Sequence, residues 1–129
     1  HIDIVSNGWL RFPLNNVTLM YKRQAYERAG GYGDLRQLED WDLFYRMVLT
    51  GAKFENLPNT LVYVRCDDDF LARRRGLKIL TSELIVFWRM YRASYTSLLK
   101  CIFAMSSRLI IRLSPKSFLR FAYNRLRSL

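Results

Sequence analysis

Residues 71–129 hold one acidic side chain, Glu83, against 13 Lys and Arg, so that stretch carries a net charge of +12. A half so poor in acids leaves polar-substrate chemistry to the rest of the chain and suits an anionic surface instead. Long apolar runs are lacking as well. Lys100, Arg108 and Arg112 break the best candidate, so a membrane-spanning helix, which needs about eighteen such residues, is not expected. Cysteine is scarce: Cys66 and Cys101 stand far apart and form no C-x-x-C pair, which excludes that kind of metal or redox centre. The pattern fits a reducing compartment better than a disulfide scaffold, and both cysteines read as buried free thiols. There is no basic leader with a cleavage site, no internal repeat and no low-complexity tract. The chain opens at His1 straight into the apolar run Ile2 to Val5, and is expected to be a piece of a longer protein.

What is present suffices for one core: 129 residues, 50% of them hydrophobic. Residues 1–70 carry 8 Lys and Arg against 10 Asp and Glu, net −2, and this acid-containing front can host chemistry on polar substrates. Ile2–Ser6 is predicted to be a strand closed by the turn pair Asn7-Gly8, and Asn16–Tyr21 a second strand. Lys22–Ala29 is predicted as a short helix ended by Gly30, with Gly31-Tyr32-Gly33 as a mobile loop open to close approach. Trp41, Phe44, Tyr45 and Val48, at i, i+3, i+4 and i+7, predict a helix from Gln37 or Leu38 to Thr50 that Gly51 stops. Asp42 and Arg46 pair across one turn of it. Lys53–Leu57 and Thr60–Arg65, around Pro58, are expected to join one small sheet. From Leu77 the period turns helical, with Leu77, Leu80, Leu84, Phe87, Trp88 and Tyr91 on one apolar face. Ser97–Leu113 and Lys116–Leu126 are two more basic amphipathic segments, parted at Ser114-Pro115.

The most informative stretch is Gly30-Gly31-Tyr32 followed by Leu38-Glu39-Asp40-Trp41-Asp42-Leu43-Phe44, Arg46 and Gly51. In this order it resembles the Gly-Gly loop and Glu-Asp motif of family-2 glycosyltransferases. The likeness extends upstream through Asn16-Val17-Thr18-Leu19-Met20 and downstream through Leu57-Pro58-Asn59-Thr60-Leu61 to Tyr63-Val64-Arg65, about residues 12–75 in all. The later helices look like the tail of capsule and polysaccharide-assembly members. Glu-Asp alone carries no weight; the ordered set does.

The resemblance implies an α/β chain, α+β as an isolated fragment. Residues 1–75 would be the C-terminal, acceptor-side part of a GT-A nucleotide-diphospho-sugar transferase fold, and 76–129 a basic amphipathic helical tail. It implies an inverting transferase that moves a sugar from a nucleotide-sugar donor to a hydroxyl of a saccharide or lipid-linked acceptor. The work would be done at the cytoplasmic face of a membrane, with Mg²⁺ or Mn²⁺ held mainly by a half outside these residues. The chain by itself is expected to be inactive, and its unpaired strand edges make a homo-oligomer unsurprising.

Transfer with inversion needs a carboxylate to take the acceptor's proton, and the resemblance gives that role to Asp40. In the first turn of the predicted helix, unpaired N–H groups and the macrodipole favour its ionised form. Glu39, about 100° away around the helix, orients the loop or binds acceptor hydroxyls. The plain alternative is that both acids only cap a helix. Gly30 and Gly31 admit a sugar closely, or serve as cap and turn. Tyr32 and Trp41 can stack on a sugar ring, although Trp41 falls on the apolar stripe of a core residue. Arg46 serves a leaving diphosphate or simply pairs with Asp42. Arg65, Arg73 and Arg74 are further substrate-binding candidates, the Arg73-Arg74-Arg75 cluster clamping a diphosphate or a lipid phosphate unless it is a solvated linker. Asp67-Asp68-Asp69 comes too late in the order to be the family's Asp-x-Asp metal motif. Asp67 stands where many relatives carry a His, and an Asp there can still ligate Mg²⁺ or Mn²⁺.

Two other functions compete. One is a non-enzymatic basic module that binds an anionic membrane surface through residues 71–129; nucleic acid is the weaker partner, since no zinc-finger spacing or aromatic RNA-binding signature occurs. The other is a degenerate relative that kept the fold, against which the intact Glu39-Asp40 argues.

Overall fold

The computed structural model describes residues 1–63 and 77–113. Every regular element among them is helical: α1 (Ile2–Asn7), a 3₁₀ turn (Asn16–Thr18), α2 (Arg23–Arg28), α3 (Glu39–Leu49), α4 (Leu77–Arg92) and α5 (Leu98–Leu113). The α3 helix is the centre. Its Leu43 and Met47 pack with Ala29 at the end of α2, beside Tyr21, Ala25, Tyr26 and Phe54. Its Trp41, Phe44 and Tyr45 pack with Val86, Phe87 and Met90 of α4 and Cys101 and Ala104 of α5. Trp41 meets Phe87 edge-on at 5.3 Å between ring centroids. Burying a ring such as Phe44 or Phe87 stabilises the fold by about 2–3 kcal/mol.

One device ends α2, α3 and α4. Gly31 N donates to Tyr26 O and Gly30 N to Glu27 O; Ala52 N donates to Met47 O and Gly51 N to Val48 O; Tyr95 N donates to Met90 O and Ser94 N to Tyr91 O. Each is a Schellman closure, which needs a left-handed residue past the cap. Gly30 (φ 79°), Gly51 (φ 83°) and Ser94 (φ 58°) supply it. The predicted stops at Gly30 and Gly51 are thus confirmed, as are the helices they end.

The strands expected at Ile2–Ser6 and Asn16–Tyr21 are not there. The first is α1, because tertiary contacts outweigh the β preference of Ile2, Ile4 and Val5. Tyr95 Oη donates to Val5 O at 2.8 Å, and Trp41 Nε1 donates to Gly8 O at 2.7 Å. Gly8 is packed so closely that an added Cβ would lie 2.4 Å from Phe44 Cε1. The second contains the 3₁₀ turn, secured by Thr18 Oγ1 donating to Asn15 O. The expected sheet around Pro58 is absent too, and the α/β expectation is unmet among the described residues. In the stretch from Lys53 to Tyr63 the Phe54 N–H donates to His1 Nδ1 and not to a strand, and Leu57, Leu61 and Tyr63 stay exposed.

Helix α4 presents a face rotated from the one predicted: Leu80 and Phe87 are buried and Tyr91 packs against the core as expected, but Ile79, Glu83, Val86 and Met90 are buried too, while Leu77 and Trp88 are exposed. The rotation follows from Glu83, drawn inward by two arginines of α5: Arg112 Nη2 donates to Glu83 Oε1 at 2.8 Å, and Arg108 Nε lies 3.5 Å from the same oxygen. Cys101 is a buried free thiol as expected, its proton affinity pushed up by burial. Cys66, the Asp67–Asp69 run, the Arg73–Arg75 cluster and Lys116–Leu126 lie outside the described residues.

Candidate functional site

Glu39 and Asp40 form the first turn of α3, both half-buried. The turn is set by Leu38, which adopts a left-handed φ of 64° that few non-glycine residues hold, and whose carbonyl receives the N–H of Asp42. Asp40 Oδ1 accepts the N–H of Trp41 at 2.8 Å, which fixes the carboxylate at the helix start.

The glycine loop packs against Tyr26 of α2 and against Asp42 and Arg46 of α3. Gly31 is buried with φ 67°, so the backbone favours glycine, and a Cβ there would crowd Tyr26 Oη at 3.0 Å. Tyr26 stacks on Tyr21 at 5.5 Å, meets Tyr32 edge-on at 5.6 Å, and its hydroxyl accepts the Tyr32 N–H at 3.2 Å. The hydroxyls of Tyr21 and Tyr32 share a hydrogen bond of 3.3 Å. That bond, then partial burial and the charges of Asp40 and Glu39, push Tyr32 up to about 12. Tyr32 is 43% exposed, its hydroxyl hydrogen-bonded to Tyr21 and within electrostatic reach of Asp40 and Glu39.

Arg46 is fully engaged. Its Nε and Nη2 donate to Asp42 Oδ2 at 3.0 and 2.7 Å, and Nη1 donates to the Ala29 carbonyl at the end of α2. Of its two expected roles, the structural pair with Asp42 is the one formed. Asp42 is buried and shared: Arg89 Nη1, from α4, donates to its other oxygen at 3.3 Å, while Arg89 Nη2 donates to Asp34 Oδ1 at 2.8 Å. Arg89 holds the Asp34 carboxyl below its ordinary range. Trp41 is a core residue with 2% exposure, Phe87 against one side and the Arg108 guanidinium 5.9 Å from its ring centroid, so no ring face is left for a sugar.

Of the predicted site residues, Tyr32 lies within electrostatic reach of Asp40 and Glu39, and Gly30 borders Arg46. Arg65, Asp67, Arg73 and Arg74 lie outside the described residues. Sequence reasoning missed Asp34 and Arg89. The pair spans 55 residues, and no local pattern marks it. A cleft of about 1070 Å³ opens to one side, lined by Tyr21, Arg28, Lys53 and Asn59 among others but by none of the glycine-loop or Glu-Asp residues. The candidate site is the open surface beside it, where the carboxylates are. Among the described residues no three His, Cys, Asp or Glu side chains converge as metal ligands. No described helix is long and apolar enough to cross a membrane.

No protein-family profile and no solved structure matches the chain. Curated relatives do. An uncharacterized glycosyltransferase of Haemophilus influenzae is 36% identical over 121 residues, 94% of this chain and 45% of the relative. A UDP-Gal:alpha-D-GlcNAc-diphosphoundecaprenol beta-1,3-galactosyltransferase of Escherichia coli is 31% identical over 89% of this chain and 42% of its own length. The amylovoran biosynthesis glycosyltransferase AmsE of Erwinia amylovora is 26% identical over 95% and 46%. The chain spans less than half the length of each of these relatives. Along nearly its whole length, then, this chain is a homologue of glycosyltransferases.

Proposed function

We propose that this chain is the acceptor-side part of an inverting, family-2 glycosyltransferase, with Asp40 as the general base. The observation that supports this best is the Glu39-Asp40 pair held at a helix start, its charges felt at Tyr32 of the tightly packed glycine loop. In the reaction an acceptor hydroxyl gives its proton to the Asp40 carboxylate while its oxygen bonds to the anomeric carbon from behind. The bond from that carbon to the donor's diphosphate oxygen breaks, and the nucleoside diphosphate leaves with the electron pair. Glu39 and the Tyr32 hydroxyl orient acceptor hydroxyls. The E. coli relative's name supports a nucleotide-sugar donor and a polyprenyl-diphosphate-linked saccharide as acceptor. No step is assigned to a metal on the described residues.

The test is sugar transfer by the whole enzyme that carries this chain, with Asp40→Asn compared to the parent and donor binding measured in both. The expected result is a loss of about a hundredfold or more with donor binding retained. Transfer near the parent's rate would reduce Glu39-Asp40 to a helix cap and sink the assignment.

A further inference from the structure

Helix α5 is built inside out. Two of its arginines turn inward: Arg112 binds Glu83, and Arg108 Nη2 donates to Leu10 O at 2.7 Å, alongside buried Cys101 and Ala104. Its large apolar side chains turn outward. Leu98, Leu99, Ile102, Phe103 and Leu109 are 45–80% exposed, and with Ser106 they fall within an arc of roughly 140° on the helix. An apolar stripe of this kind on a soluble surface marks something that covers it.

Charge selects the occupant. Glu83, the only acid of residues 71–129, is buried between arginines, so the described surface of α4 and α5 carries no negative side chain. Arg73, Arg74 and Arg75 precede this helix pair in sequence and Lys116, Arg120, Arg125 and Arg127 follow it. A second copy would bring two strongly cationic halves together. Nucleic acid would meet the cations but offers no hydrocarbon to the leucines. An anionic lipid surface satisfies both. With 16 residues α5 is about 24 Å long, shorter than a bilayer's apolar core, so it fits lying in the interface.

We infer that the outward face of α5 is a docking surface for an anionic phospholipid bilayer. This goes beyond the transfer chemistry and does not depend on it. The test is flotation of the whole enzyme that carries this chain with vesicles of phosphatidylcholine alone and of phosphatidylcholine mixed with phosphatidylglycerol. The expected result is binding to the mixed vesicles that weakens with salt and falls at least about tenfold in Leu99→Ser/Ile102→Ser, with helix content unchanged. Leu99→Met/Ile102→Met should keep it. The inference is overturned if the enzyme stays off the mixed vesicles, or if the serine variant binds them as the parent does. It is equally overturned if those serines abolish a dimer seen by sedimentation without touching vesicle binding, or if the enzyme binds duplex DNA in preference to the vesicles.

Discussion

Arg89 Nη1 donates to Asp42 Oδ1 at 3.3 Å, across 47 residues of chain, and joins the helix that starts with the candidate base to the helix that follows it. Asp42 is the buried member, and Arg46 is its closer partner at 2.7 Å. Arg46→Met should therefore destabilise the fold by about 3 kcal/mol, since it strips a buried carboxylate of its bidentate partner. Arg89→Met, at a residue about a third exposed, should cost about 1 kcal/mol. Urea unfolding of both variants and of the double variant is the check, with a clear departure from additivity expected because the two arginines share one carboxylate.

The glycines separate backbone strain from packing. Gly51→Ala meets open space at φ 83° and should cost about 1 kcal/mol for the left-handed conformation alone. Gly31→Ala bears the same penalty and also presses on Tyr26, so its thermal unfolding midpoint should fall further than that of Gly51→Ala. Equal shifts would mean that Tyr26 yields freely.

Asp34 gives a pH dependence of definite sign. Its carboxyl is held below the ordinary range by Arg89, so the unfolded chain takes up the proton first as the medium is acidified. The contribution of the Asp34–Arg89 pair is present above the ordinary carboxylate value and is lost as pH falls through the folded one. The stability difference between the parent and Asp34→Asn should shrink to nothing in acid and be constant near neutrality.

Tyr32, pushed up to about 12, stays protonated wherever the enzyme can be assayed. Tyr32→Phe should lower transfer by the whole enzyme without altering the shape of its pH profile below about 10. A basic limb that disappears in the variant would assign Tyr32 an ionisation that its surroundings oppose.

Glu83 tests how α4 and α5 are held. Glu83→Gln leaves Arg108 and Arg112 facing each other without their counter-charge and should destabilise by about 3 kcal/mol. Replacing all three by Leu, Met and Met should recover most of that loss, because the charges no longer need compensation.

The helices with local signals were legible: Gly30 and Gly51 announced the ends of α2 and α3, and Trp41, Phe44 and Tyr45 announced the face of α3. So was the placing of Glu39 and Asp40 in the first turn of α3, because a short stretch of sequence contains it. What was illegible depends on distant partners. Nothing near Ile2–Val5 reveals that Tyr95 and Trp41 will seize that segment as a helix. Nothing near Arg89 reveals Asp34. The face of α4 was misread because a lone Glu in an apolar stripe looks like a solvent-facing residue until its two arginines, 25 or more residues on, are brought against it.

The loop that carries Tyr32 is moored on both banks. Arg46 grips the chain at Ala29 and Arg89 grips it at Asp34, from two different helices. Only residues 30–33 hang between these moorings, too short a span to travel, and Gly31 at its middle is pinned by Tyr26. On the proposed reading, an acceptor sugar arriving at Asp40 would meet a rail already in place, and whatever opening its entry requires would come from the side chain of Tyr32 or from a shift of α4 itself.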